Sequence, residues 1–523
     1  MARRPVALGA TVIAGAAAAA LVLALTVGTL AAVALRAEFS RGLGPAEWAA
    51  IRFTLWQATL SALLSTVLAV PVARALARRH FPGRALLVTL LGAPFILPVI
   101  VAVLGIVAVF GRGGWVNAAL SAVGLGPVSI YGLPGVLLAH VFFNLPLATR
   151  LVLQGWLGIP AERFRLAAAL GFGPADIARH IERPMLRAVL PGAFAVIFLI
   201  CMTSFAVVLA LGGGPRATTI ELAIYQAFRF DFDLGKAALL ATIQFALCVA
   251  AAGAARFVTV PEAAGPGLDR PRELYLHGRL RAAADALWIT LSAVFLLAPL
   301  AAVVLRGAPA IAALPHPVWA AAGRSVVVSV PSAFLSVGLG LAMAAAIARL
   351  GRRRGAAVLE GIGYLSVAAS PLVIGTGLFI LIFPIADPAR LALAVTAVVN
   401  AVMSLPFVLR ALVPELRRIE ADHGRLADSL GMHGWARYRL LILLRARRAL
   451  GFGLGLAAAL SMGDLGVIAL FADPEGATLP LQIYRLMASY RMADAAGAAL
   501  LLLALSLSAF WLFDRGGRLG ADA

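Results

Sequence analysis

The chain predicts an all-α, polytopic membrane protein of about 12 transmembrane helices arranged as two parallel six-helix repeats. Composition is the first reason: 62% of the 523 residues are hydrophobic, 13% are charged and the mean hydropathy is +0.96, far more apolar than a soluble domain. The second is that the apolar runs reach the roughly 20 residues that cross a bilayer as helix. The third is a polar segment that occurs twice, about 260 residues apart: LPLATRLVLQGWLGIPAERFRLAAALGFGPADIARHIERP from Leu145 and LPFVLRALVPELRRIEADHGRLADSLGMHGWARYRLLILL from Leu405.

Spans are expected at 6–35, 52–73, 85–110, 133–153, 188–211, 237–257, 283–305, 324–348, 357–383, 390–412, 449–471 and 495–513, each an apolar run between polar loops. The first follows Arg3 and Arg4, is long and has no small-residue cleavage site, so it reads as a retained anchor. With the amino terminus inside, the basic loops Arg74 to Arg84, Arg163 to Arg187, Arg256 to Arg281, Arg349 to Arg354, Arg417 to Arg448 and Arg515 to Arg518 all fall on the cytoplasmic side. That satisfies the positive-inside rule and puts both termini in the cytoplasm. A net charge of +20 would suggest nucleic acid in a soluble protein; here the arginines sit in short inter-span loops, where they set topology, so no nucleic acid is expected.

Residues 259–281 form the one interior stretch rich in Pro, Gly and charge, and read as a linker between halves. Weaker echoes support the duplication: SALLS at 61–65 against SAFLS at 332–336, and Thr219 to Tyr225 against Thr478 to Tyr484. Six spans per half is an even number, so both halves share one orientation and are related by an axis along the membrane normal. A path between the halves follows.

Each repeated segment opens with Leu-Pro-x3-Arg (Leu145, Pro146, Arg150; Leu405, Pro406, Arg410) and later carries a Leu-Gly pair, Leu170-Gly171 and Leu430-Gly431. The glycines punctuate two short helical stretches. Ile177 and Ile181 in the first copy, and Trp435 and Tyr438 in the second, are expected to give an apolar face among arginines, suited to a groove on a partner protein. The alternative is an amphipathic helix resting on membrane lipid. Arg150 and Arg410 read as snorkelling anchors.

The spacing from Gly171 to Ile181-x-Arg183-Pro184 resembles the EAA loop of type I ABC importer permeases. In that family the loop forms the coupling helix seated in the cytoplasmic ATPase. The resemblance places Ala167, Leu170, Gly171, Ile177, Ile181 and Pro184, and Ala427, Leu430, Gly431, Trp435 and Tyr438, in two ATPase-coupling loops. Arg165 and Arg425 stand at the family's Glu position, Arg183 replaces its Leu, and the second copy ends in Leu443-Leu444 without the Pro. The stretches RFTLWQATLSALLS, YGLPGVLLAHVFFNLPLATRL, LGGGPRATTIELAIYQAF and SMGDLGVIALF are similar to the fused, two-domain permeases of bacterial thiamine and thiamine pyrophosphate ABC importers. Ferric-iron permeases are also fused, so that cargo, another small solute or a secondary carrier of duplicated halves stays open.

The resemblance implies an inner-membrane, multi-pass subunit that works with two copies of a cytoplasmic ABC ATPase and a periplasmic thiamine-binding protein. Residues 52–257 and 324–514 would be the two permease domains. Around them stand an anchor and outer loop at 1–50, a linker at 258–281, a helix and outer loop at 282–323 and a tail at 515–523. ATP and Mg would belong to the ATPase, with no cofactor in this chain.

The residues agree. The single lysine, Lys236, has no phosphate-binding glycine loop around it, and the Gly-rich 212–219 falls on the outer side. No catalytic motif occurs in a plausible setting, and Cys201 and Cys248 lie in spans without metal-ligand spacing. For an organic cation the path should offer acids and aromatic rings. Asp464, between Gly463 and Gly466, is the outstanding intramembrane acid, with Glu221, Tyr225, Tyr484 and Trp56 nearer the outer half. The alternative for Asp464 is a structural acid satisfied by backbone, Arg485 or Arg491.

Overall fold

The computed structural model describes residues 9–92, 96–214, 217–255, 278–351, 353–367, 369–432, 434–473 and 475–518. They are mostly helical, with no strand among them, and eleven of the helices are long and apolar enough to cross a membrane. The first half comprises α1 (Ala10–Arg36), α2 (Pro45–Arg78), α3 (Arg84–Leu90), α4 (Val99–Phe110), α5 (Trp115–Ala122), α6 (Leu133–Gly158), α7 (Ala161–Ala169), α8 (Pro174–Met202), α9 (Ala206–Leu211), α10 (Ile220–Arg229) and α11 (Leu234–Ala255). The second comprises α12 (Arg279–Gly307), α13 (His316–Leu350), α14 (Arg354–Tyr364), α15 (Pro371–Ile382), α16 (Ala392–Ser429), α17 (Gly434–Arg437), α18 (Arg447–Met462), α19 (Gly466–Phe471), α20 (Leu479–Ala488) and α21 (Met492–Arg518). Most of the expected linker lies outside the described residues; its last three residues open α12.

Four expected spans are broken. The run 357–383 divides into α14 and α15, because Ser370 caps the new helix, its Oγ accepting from the Val373 N–H at 3.1 Å, and Pro371 opens it. At 12 residues, α15 is about 18 Å long, too short to span alone. The run 85–110 likewise divides into α3 and α4, with Pro98 just before α4. The runs 188–211 and 449–471 break at 203–205 and 463–465. Equivalent breaks in both halves leave short helices, α9, α10, α19 and α20, near the centre.

The halves also exchange helices. The amino-terminal α1 packs on α13 and α15 of the second half, while α12 packs on α2 and α4 of the first. Lipid gives no hydrophobic drive for pairing, so close approach through small residues decides these contacts. A side chain at Gly15 would collide with Ala346, one at Gly377 with Thr29, and one at Gly105 with Pro299.

Candidate functional site

Both repeated loops are built on the same turn. Helix α7 ends at Ala169; Gly171 takes φ +68°, its N–H donates to the Ala168 carbonyl at 3.1 Å, and the Phe172 N–H donates to the Ala167 carbonyl at 2.9 Å. At the end of α16, Gly431 takes φ +67°, its N–H donates to Asp428 at 3.2 Å, and the Met432 N–H donates to Ala427 at 2.9 Å. This is the Schellman end of a helix, and a left-handed residue there is the reason for glycine. The recurring Ala-x3-Gly is therefore the frame of the turn, with Ala167 and Ala427 buried beneath it.

The exposed apolar groups are leucines. Leu166, Leu170, Leu426 and Leu430 are each 58–67% exposed, one turn apart on the rim of each loop. In the second copy Trp435 is also exposed and stacks on half-buried Tyr438, with ring centroids 6.0 Å apart; burial pushes the Tyr438 phenol up to about 12. Ile177 and Ile181 correct the sequence reading: lying just before and within the π-helical segment Ala178–Glu182, both are buried in the protein's own core, while Arg179 and Arg183 stay at the surface. Pro184 follows that segment and is exposed. A matching π-helical segment, Tyr438–Leu443, buries Leu441 and Ile442 in the second copy.

Between the halves lies a cavity of about 390 Å3, within the range of small-molecule sites. The first half contributes His140, Asn144, Ser204 and Glu221, and the second Met403 and Asp464. His140 is held on both ring nitrogens, with Nδ1 3.0 Å from the Ser61 hydroxyl and Nε2 2.8 Å from that of Ser204. Asn144 donates to the His140 carbonyl at 2.9 Å. The helix break above the cavity is satisfied by side-chain amides, Gln57 donating to the Cys201 carbonyl and Gln244 to that of Met202, each at 2.9 Å. This is how a discontinuous helix survives inside a membrane.

Of the five path residues expected from sequence, Asp464 and Glu221 line this cavity. Tyr225 is packed away against Phe205 and Phe230, and Tyr484 is half-buried outside the lining. Trp56 is 57% exposed on a membrane-crossing helix and faces outward. Asp464 forms no ion pair with Arg485 or Arg491; its Oδ1 accepts from the Gly466 N–H at 3.3 Å, and Arg491 pairs with Asp494. Sequence reasoning missed His140, Asn144, Ser204 and Met403. A histidine deep in an apolar run was the available signal. Among the described residues no group of His, Cys, Asp or Glu gathers to hold a metal.

Two helical halves, broken helices around a central cavity and paired surface loops define a transport permease. Residues 336–516 match the family described as binding-protein-dependent transport system inner membrane component. The chain is 42% identical over 481 residues to the thiamine transport system permease protein of Salmonella typhimurium, covering 90% of this chain and 89% of the relative. It is 40% identical to the protein of that name from Escherichia coli over 479 residues, and 39% identical to that of Brucella abortus over 515 residues, 96% of this chain and 95% of the relative. The chain belongs to the family of thiamine transport system permease proteins. It is therefore the multi-pass inner-membrane subunit of a binding-protein-dependent ABC importer, a transport subunit that works with an ATPase and a substrate-binding protein.

Proposed function

We propose that this chain forms the path by which thiamine and its phosphates cross the inner membrane. The observation that carries it is likeness to thiamine permeases along 90% or more of the chain. A periplasmic thiamine-binding protein delivers the cargo to the outer face, and two copies of the ATPase, which hold the ATP and Mg, seat on the two loops. Both termini are cytoplasmic. Residues 52–257 and 324–514 act as the paired permease domains, joined through 258–281.

The loop geometry supports docking through Leu166, Leu170 and the Gly171 turn in one copy, and through Leu426, Leu430, the Gly431 turn and Trp435 in the other. Ala167, Ile177 and Ile181, with Ala427 and Tyr438, brace those surfaces from beneath, and Pro184 lies in α8, the helix that carries the motion inward. ATP drives the ATPases together, and because the loops are continuous with rigid helices the cavity's opening shifts between sides.

The test is uptake of labelled thiamine in cells lacking their own transporter, supplied with this chain, its binding protein and its ATPase. Leu170→Asp with Leu430→Asp changes only exposed side chains and is expected to cut uptake at least about tenfold with protein levels unchanged, since a charge replaces apolar contact at each docking centre. Uptake that persists without the ATPase would overturn the reading.

A further inference from the structure

We propose that Glu221 and Asp464, one carboxyl from each half, form a split acceptor for an organic cation inside the central cavity. The proposal rests on the transport function above and names what holds the cargo in transit.

Glu221 sits in the first turn of α10, is fully buried, lines the cavity, and has no hydrogen-bond partner on either carboxyl oxygen among the described residues. Its nearest polar neighbours are neutral: the Gln244 amide donates one N–H to the Met202 carbonyl and the Ser370 Oγ accepts from the Val373 N–H, so an amide N–H and a hydroxyl proton remain beside the carboxyl and no cation does. From the second half, Asp464 Oδ2 is buried without a hydrogen-bond partner among the described residues. Among the described residues no Lys or Arg lines the cavity, and His140 already has a hydroxyl at each ring nitrogen. An unpaired carboxyl in an apolar wall inside a membrane is costly, and it is kept where something else supplies the positive charge.

The duplication sharpens the point. Helices α9 and α19 correspond residue for residue, as do α10 and α20. Ser204 therefore stands at the place of Asp464, and Pro480 at the place of Glu221. Neither acid has an acidic counterpart in the other half, yet both line one cavity, which neither half encloses alone. Phe143 and Phe205 add aromatic rings to the lining, suited to a flat cationic heterocycle such as a thiazolium.

The test is direct binding to the permease–ATPase complex in nanodiscs, followed by NMR saturation transfer, with 3-benzyl-4-methylthiazolium as the cation and 4-methylthiazole as the neutral probe. Wild type should bind the thiazolium at least tenfold more tightly than the Glu221→Gln, Asp464→Asn double variant, with the neutral probe equal on both. Equal binding of the thiazolium, no binding to wild type, or parallel loss of both probes would each overturn the site. Thiamine uptake is then measured separately on wild type: a complex that binds the cation yet imports no thiamine would overturn the cargo and leave the site standing.

Discussion

The loop after α7 and the loop after α16 share a backbone and differ in how they are tied to the membrane helices. In the first, Glu182 on the loop faces two arginines of α2, Arg74 at 2.7 Å and Arg78 at 2.6 Å. In the second the signs are exchanged: Arg437 on the loop lies 2.6 Å from Asp428 and 2.8 Å from Glu420, both on α16, and Arg349 of α13 shares the same two acids. Divergence has kept an arginine of the long helix, Arg78 in α2 and Arg349 in α13, and moved its partners: Glu182 aligns with Ile442, and Arg437 with Ile177. The consequence is unequal redundancy, since one acid holds the first tie while two acids and two bases hold the second.

Removing Glu182 should give the largest effect. Glu182→Ala strands Arg78, which is 8% exposed, and breaking a buried pair by deleting one partner costs about 3–5 kcal/mol. Arg437→Ala leaves Glu420 and Asp428 with Arg349, in a cluster half open to water, so about 1 kcal/mol is expected. Thermal unfolding of the detergent-solubilised chain measures both. Equal losses would show that the second tie is not redundant.

Next come the turn glycines, where the loops are alike and should respond alike. A β-branched residue at φ near +68° is forced into the left-handed region, at about 1–2 kcal/mol. Gly171→Val and Gly431→Val should each leave a folded protein with at least fivefold lower thiamine uptake. A variant with normal uptake in one copy alone would show that a single loop carries the coupling.

Much of this was legible in the sequence, and the exceptions have physical causes. The spans and the doubled loop stand out because apolar runs of bilayer length and a glycine forced to positive φ leave marks in any chain. The break in 357–383 does not, because Ser366 to Pro371 stays apolar enough to read as continuous helix. The exchange of α1 and α12 left no mark either, since Gly15 opposite Ala346 is a small residue among many in an Ala-rich run. The outward reading of Ile177 and Ile181 failed because an i, i+4 pair marks one apolar face without saying what covers it, and here the protein's own core does.

The smallest effect tests whether the halves are equal in build and unequal in task. The Ile220 N–H, in the first turn of α10, donates to Thr54 Oγ1 at 2.9 Å, and the Leu479 N–H, in the first turn of α20, donates to Ser325 Oγ at 2.8 Å. Each hydroxyl comes from the second long helix of its half, α2 or α13, and each pair is buried. Thr54→Ala and Ser325→Ala should thus cost the same, about 1 kcal/mol, in thermal unfolding. Their effects on transport should differ. The residue after Ile220 is Glu221, whose carboxyl must stay aimed at the cavity, whereas the residue after Leu479 is Pro480, which carries no charge. Thiamine uptake should therefore fall two- to threefold in Thr54→Ala and hold in Ser325→Ala, and equal transport by the two would mean that the position of α10 matters no more to the cargo than that of its twin.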